Sequence, residues 1–285
     1  MARWLRYLIE RSPPAVVGVV AAGIALSGLW IGGGAFDSTG FGLALAGLVL
    51  FMVLARLADE LKDYEKDEVA HPERPLPRGL VTPKAVRHVM RGLFAAMGAY
   101  AVVLMLATGW LAAALYAASA FWLWLMSEEF FADKTLAPRP LVSALLHQLV
   151  LFPLYGFAVA VREPQLALAS PGLAYALANL GASMSYEVGR KLDPAAHPVL
   201  GYYGTRYGGR RCALIIAGFT IVAAAGAWWL GAGMVLWPVE ALVVAAVLGL
   251  FVRPDMHRPV ERVAALSVLV HVWSVPIRRA VEWLG

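Results

Sequence analysis

Apolar residues fill nine long stretches of this chain, and charged residues gather in the segments between them. Each stretch approaches the roughly 20 residues that a helix needs to cross a bilayer. The stretches are 14–33, 40–58, 86–107, 110–127, 140–161, 166–188, 211–230, 233–252 and 261–283. Two connections, Thr108–Gly109 and Gly231–Ala232, are so short that the helices they join must be antiparallel neighbours. The pattern predicts an all-α, polytopic membrane helical bundle of about nine transmembrane helices, with a single domain over 1–285.

Composition agrees with a chain that lies in the lipid bilayer. Of the 285 residues, 60% are hydrophobic and 15% are charged, and the mean hydropathy is +0.68. Soluble domains carry about 25% charged residues. The net charge of +5 resides in short loops between apolar runs, so we expect no nucleic-acid partner. The single cysteine, Cys212, excludes an intramolecular disulfide.

Loop charges predict the orientation of the bundle. Lysine and arginine concentrate in four alternate segments, 59–87, 128–139, 189–211 and 253–260. The loops on the opposite side carry only Arg162, apart from two arginines near the C-terminus. The positive-inside rule then places the N-terminus and the four basic segments in the cytoplasm. We expect a multi-pass integral protein of a prokaryotic cytoplasmic membrane.

A first acidic segment, Asp59, Asp63 and Asp67, lies at the end of the second predicted span. On a helix, a four-residue step rotates by about 40° and rises by about 6 Å, so the three carboxylates form one stripe. Like charges at this spacing repel each other unless a cation neutralises them. Carboxylate oxygens suit Mg²⁺, which commonly joins protein carboxylates to a phosphate-bearing substrate.

A simpler interpretation is a solvated helix end on which two nearby lysines, Lys62 and Lys66, neutralise the stripe. The following sequence H-P-E-R-P-L-P-R-G argues against it, because its prolines end the helix and stiffen an extended loop. Arg74 and Arg78 are then held near the carboxylates. Acidic groups beside fixed guanidinium groups predict a diphosphate site.

The sequence D-E-L-K-D-Y-E-K-D with R-P-L-P-R-G after it resembles the first signature of the UbiA superfamily of intramembrane prenyltransferases. Asp59 stands where that family usually has Asn, which keeps an oxygen ligand and adds charge. A second acidic segment, S-Y-E-V-G-R-K-L-D at 185–193, lies where the family often has D-x-x-x-D. This chain has Glu187 and Lys191 at those two positions, and Asp193 is the candidate replacement for the missing acid. The resemblance covers most of the chain.

The resemblance implies Mg²⁺-dependent transfer of a prenyl group from a polyprenyl diphosphate to a lipophilic acceptor, such as an aromatic compound. It also implies active-site loops on the cytoplasmic face. The implied catalytic acids and Mg²⁺ ligands are Asp59, Asp63, Asp67 and Glu187, with Asp193 as a further ligand. The implied diphosphate-binding cations are Arg74, Arg78, Lys134, Arg139, Arg190 and Lys191.

Other interpretations stay open at the level of the sequence. The altered second acidic segment is compatible with a membrane-bound terpene cyclase of the same superfamily, in which the substrate's own double bond captures the cation. A different class is a non-enzymatic transporter or lipid-binding membrane protein. His147 and Gln148, which are polar residues inside a predicted span, are typical either of a functional site or of hydrogen bonding between helices.

Overall fold

Helices account for most of the structure, a computed structural model that describes residues 2–253 and 256–284. In these residues there are sixteen α-helices and two short 3₁₀ turns, Glu129–Phe131 and Pro198–Leu200. The helices are α1 (Ala2–Arg11), α2 (Pro14–Trp30), α3 (Ser38–Lys62), α4 (Tyr64–Ala70), α5 (Pro83–Ala107), α6 (Trp110–Ser127), α7 (Asp133–Leu136), α8 (Pro140–Gln148), α9 (Leu151–Ala160), α10 (Pro164–Ala167), α11 (Ser170–Gly189), α12 (Tyr203–Tyr207), α13 (Gly209–Trp229), α14 (Gly233–Val252), α15 (His257–Val272) and α16 (Ser274–Leu284).

Local capping residues fix where two of the long helices begin. The Asp37 carboxylate accepts hydrogen bonds of 3.1 Å from the backbone N–H groups of Thr39 and Gly40, at the start of α3. The Thr82 hydroxyl accepts one of 3.2 Å from the N–H of Ala85, at the start of α5. These side chains satisfy backbone donors that have no partner within their own helix.

Fewer helices than expected meet the length and apolarity needed to cross a membrane. Among the described residues, α3, α5, α6, the α8–α9 pair, α13 and α14 give six such spans. Two bent pairs, α1–α2 at 60° and α15–α16 at 70°, raise the number to eight if each pair is one span. The bundle is therefore confirmed as all-helical and polytopic, with six to eight candidate spans in the described residues where the sequence predicted about nine.

The difference lies in α11, which the sequence predicts as the sixth span. Helix α11 packs against α9, α13 and α15, and most of its side chains are buried. Its polar groups are satisfied internally: Asn179 Nδ2 donates to the carbonyl of Tyr175 at 2.9 Å. A helix enclosed by protein needs no continuous apolar surface, because few of its side chains face lipid. Its composition is accordingly too polar for a lipid-facing span.

An N-terminal helix that the sequence does not predict, α1, docks beside the end of α3. Arg11 Nε donates to the buried Glu60 carboxylate at 2.6 Å, and Arg56 pairs with the same carboxylate. Tyr7 is fully buried at this contact. The acid that follows Asp59 in the sequence thus anchors α1 to α3.

Candidate functional site at the acidic end of the bundle

The first acidic segment continues its helical path across a break between two helices. Helix α3 ends at Lys62, Asp63 caps it, and α4 begins at Tyr64. The N–H of Asp63 still donates to the carbonyl of Asp59 at 2.9 Å, and the N–H of Asp67 donates to that of Asp63 at 2.8 Å. Because these hydrogen bonds keep the four-residue spacing, the stripe persists although the helix is divided.

The three carboxylates of the stripe differ in whether a cation is paired with them. Asp67 is buried and forms a salt bridge of 2.6 Å with Arg74. Asp59 and Asp63 make no salt bridge with any residue that the structure describes. The proline loop therefore neutralises one acid, and two remain available to a cation.

Lys62 forms its salt bridge and its hydrogen bond with Glu129 and His147, and none with a carboxylate of the stripe, so the pairing of the simpler interpretation is not observed. Its Nζ lies 2.6 Å from Glu129 Oε1 and 3.0 Å from His147 Nε2. Lysine can only donate, so His147 Nε2 accepts from Lys62, and its Nδ1–H donates to the carbonyl of Ser143 at 2.7 Å. His147 therefore joins helices by hydrogen bonds at the edge of the site.

A left-handed turn brings Glu129 to Lys62. Glu129, Phe130 and Phe131 have φ values of 49°, 54° and 54°, a conformation that costs about 1–2 kcal/mol per residue. The Phe130 ring packs edge-on against His147 and Trp122, with centroids 5.4 Å and 5.7 Å away. The sequence gives no glycine or asparagine as a signal for this turn, and the Lys62–Glu129 pair could not be predicted from it.

The second acidic segment carries an acid enclosed by cations. Glu187 lies near the end of α11 and pairs with Arg190 and Lys191, each at 2.5 Å. Tyr203 Oη donates to Glu187 Oε1 at 3.5 Å. Burial, and then the Glu187 carboxylate, raises the pKa of Tyr203, so its phenol stays protonated. Burial lowers the pKa of Arg190, but the adjacent carboxylate outweighs this and the pKa is raised.

The glycine-containing loop after this segment folds back against it. The N–H of Gly204 donates to the carbonyl of Lys191 at 3.0 Å. A Cβ at Gly204 would overlap the backbone of Leu192, so only glycine permits this approach. Asp193 lies beside the loop, where its Oδ1 accepts from the N–H of Ala195 at 2.8 Å and lies 3.9 Å from His257 Nε2.

The structure brings the two acidic segments together at one end of the bundle, which we call the acidic end. Helix α4 packs against the turn Pro198–Leu200. Asp59 and Arg190 are close enough for their charges to interact. Arg74 of the proline loop is thereby also brought near the second segment.

Tyr202 marks the meeting point of the two segments. Burial raises its pKa, and the carboxylates of Asp193 and Asp67 add to that rise. The guanidinium groups of Arg190 and Arg74 act in the opposite direction. The pKa of one phenol is thus affected by an acid and a base from each segment. The fold brings these two segments together although they are far apart in the sequence.

The other three predicted cations are placed differently. Arg78 pairs with Glu10 of α1 at 2.8 Å and donates to the carbonyl of Glu73 at 2.9 Å, so it ties the proline loop to the N-terminal helix. Lys134 on α7 and Arg139 before α8 are exposed. Neither forms a salt bridge within 2–253 and 256–284.

Comparison with known proteins agrees with this arrangement of helices. Residues 19–275 match the UbiA prenyltransferase family. A digeranylgeranylglyceryl phosphate synthase of Natronomonas pharaonis is 32% identical over 113 residues, which are 40% of this chain and 39% of that protein. A solved structure of digeranylgeranylglyceryl phosphate synthase superposes with a TM-score of 0.64 and 12% identity, over 97% of this chain and 98% of the other. That likeness establishes the fold, and the chain belongs to the UbiA prenyltransferase family.

Proposed function

We propose that this protein transfers a prenyl group from a polyprenyl diphosphate to a lipophilic acceptor at the acidic end of the bundle. The observation that carries the proposal is the convergence of the two acidic segments with Arg74, Arg190 and Lys191. Family membership supports the reaction class. The positive-inside asymmetry of the loops supports a cytoplasmic location for this end.

The acids at this end suit Mg²⁺ that is shared with a phosphate group. Among the described residues, no three His, Cys, Asp or Glu side chains are close enough to hold a metal by themselves. Mg²⁺ usually binds through one or two carboxylates and completes its coordination with substrate phosphates and water. Asp59 and Asp63 offer two such carboxylates, and Asp67 and Glu187 would join when their cations turn to the diphosphate. Asp193 is a further candidate ligand.

The residues of the chain then act on the leaving group. The allylic C–O bond breaks, and its electron pair departs with the diphosphate. Arg74, Arg190 and Lys191 neutralise the charge that develops there, and Arg78, Lys134 and Arg139 are further candidates. Bound Mg²⁺ would supply additional positive charge to the same group. The acceptor nucleophile donates an electron pair to the allylic carbon and releases its proton to solvent.

The two similar proteins indicate the chemical class of the acceptor. The relative and the solved structure described above are both digeranylgeranylglyceryl phosphate synthases, so their product carries glyceryl phosphate. We propose a comparable lipid acceptor here, with the prenyl chain and the acceptor tail both lying among the apolar helices.

The test is incubation of the purified protein with Mg²⁺, a panel of allylic diphosphates and a panel of lipid acceptors. We expect diphosphate release together with a prenylated acceptor, and loss of both when EDTA removes the metal. A hydrocarbon or terpene alcohol formed without acceptor would instead identify a cyclase. No turnover with any pair of substrates would contradict enzymatic activity and favour a transporter or a lipid-binding protein.

A further inference from the structure

A polar pocket of about 370 Å³ lies between α11 and the beginning of α15, beside the proposed diphosphate site. Its lining residues are Tyr186, Arg258, Glu261, Arg262 and Ala265. Tyr186 precedes Glu187 on α11 and lies one helical turn before Arg190, whose N–H donates to the Tyr186 carbonyl at 2.9 Å. The pocket therefore adjoins the acidic end but uses residues that the proposed reaction leaves unassigned.

The charges of the pocket favour an anion. Arg258 and Arg262 are one helical turn apart, so their guanidinium groups repel each other unless an anion lies between them. Arg258 also lies in the first turn of α15, where the helix dipole adds positive potential. Neither arginine makes a salt bridge with any residue in the described part of the chain. Guanidinium groups bind phosphate oxygens well, because their planar N–H donors match the geometry.

Two other side chains restrict the ligand further. Glu261 lines the same pocket and repels a phosphate that comes close, so the phosphate would lie toward the arginines. Its carboxylate can accept a hydrogen bond from a hydroxyl group beside that phosphate. Tyr186 contributes one more hydroxyl to the wall. Together the groups suit a headgroup that has both a phosphate and an alcohol.

The same face of α15 becomes apolar beyond the arginines. The helical spacing places three apolar residues on the face that carries Arg258 and Arg262, namely Ala265, Leu266 and Leu269. All five residues are exposed. Leu266 and Leu269 are 45% and 36% exposed. A charged section followed by an exposed apolar section matches a lipid, with its headgroup at the membrane surface and its tail in the hydrocarbon region.

We propose that this pocket binds the phosphate of the acceptor lipid, a phosphate-bearing alcohol whose tail follows the apolar part of α15. The assignment rests on the proposed function, because it names the acceptor of that reaction. It places the acceptor headgroup beside Arg190 and hence beside the departing diphosphate.

The first test measures binding without turnover. The probes are dioleoyl phosphatidic acid, dioleoylglycerol and inorganic phosphate, added to the full-length protein in neutral detergent. We expect the double variant Arg258→Gln/Arg262→Gln to bind phosphatidic acid at least about 10-fold more weakly than wild type, because charge-assisted hydrogen bonds are lost. Binding of dioleoylglycerol should not change, and lysine at both positions should restore part of the affinity.

The matched control is Arg87→Gln/Arg91→Gln, which removes the same charge from two exposed positions one turn apart at the start of α5. It should bind phosphatidic acid like wild type. An equal loss in this control, or no loss in the α15 variant, would overturn the site. Inorganic phosphate that displaces the lipid at equal concentration would show a phosphate site without lipid recognition, and would also overturn the proposal.

The second test distinguishes the acceptor from a bilayer lipid. With a polyprenyl diphosphate and an isoprenyl glyceryl phosphate, the α15 variant should raise the acceptor KM by about 10-fold or more and leave the diphosphate KM within about 2-fold. An unchanged acceptor KM overturns the acceptor assignment. If wild type shows no turnover, the proposed function fails, and the binding measurement still decides whether the phosphate site exists.

Discussion

At the residue scale, the main property of the acidic end is the division of its carboxylates into paired and unpaired groups. Asp67 is held by Arg74, and Glu187 by Arg190 and Lys191. Asp59 and Asp63 have no such partner in the described residues. The spacing in the sequence predicted the stripe, but it could not predict which acids are neutralised. That depends on partners such as the Lys62–Glu129 pair, which only the tertiary fold brings together.

Glu187 provides the sharpest test at this scale. When the diphosphate binds, it would draw Arg190 and Lys191 away and leave Glu187 free to coordinate Mg²⁺. We therefore expect Glu187→Gln to raise the Mg²⁺ concentration for half-maximal activity by at least about 10-fold. Glu65→Gln, at an exposed position of α4, is the control and should have no effect. A higher KM for the diphosphate with an unchanged Mg²⁺ requirement would show that Glu187 only anchors the two cations.

At the element scale, the apolar stretches predicted the presence of helices better than their direction. The hydropathy pattern shows how long and how apolar a stretch is, but it does not show a bend within it. The stretch 261–283 was therefore predicted as one span. The structure divides it into α15 and α16, which meet at a 70° bend. The bend is supported by hydrogen bonds, because the Val272 carbonyl accepts from Ser27 Oγ at 2.7 Å and from Tyr175 Oη at 2.9 Å. Those partners come from other helices, but Pro276 is a local signal that the apolar pattern does not register. It has no N–H to donate to the Val272 carbonyl four residues before it, which leaves that carbonyl free for Ser27 and Tyr175.

The crossing of α11 and α13 gives a prediction at this scale. A Cβ at Gly181 would overlap the backbone of Ala223, so this close approach requires glycine. Gly181→Ala should destabilise the protein by about 1–3 kcal/mol, seen as a lower Tm in detergent. Gly218→Ala on α13 is the control, because a Cβ there meets nothing within 4 Å. Equal Tm values for the two variants would show that the helices separate without cost.

At the scale of the whole molecule, charge and hydropathy predicted a polytopic bundle, which the fold and the family match confirm. Six to eight helices of the described part have the length and apolarity of a span, and α11 is not among them because it is enclosed by other helices and carries polar residues. Orientation remains a prediction from the loop charges. It follows from the fold that Lys134 lies toward the acidic end, whereas Ser38, at the opposite end of α3, faces the other side of the bundle.

Cysteine labelling tests this orientation. In a Cys212→Ala background, Lys134→Cys and Ser38→Cys each place one thiol at an exposed position. A membrane-impermeant maleimide should label the Lys134 variant only in inside-out vesicles and the Ser38 variant only in right-side-out vesicles. The reverse pattern would place the acidic end outside the cytoplasm.

Binding of an unreactive substrate analogue most directly tests the central claim that the acidic end binds a prenyl diphosphate through Mg²⁺. The measurement is the affinity of wild type, Asp63→Asn and Glu65→Gln for geranylgeranyl thiolodiphosphate, with and without Mg²⁺. We predict binding to wild type and Glu65→Gln only with Mg²⁺, and binding to Asp63→Asn at least about 10-fold weaker. Equal affinity without Mg²⁺, or an unchanged affinity in Asp63→Asn, would contradict the claim.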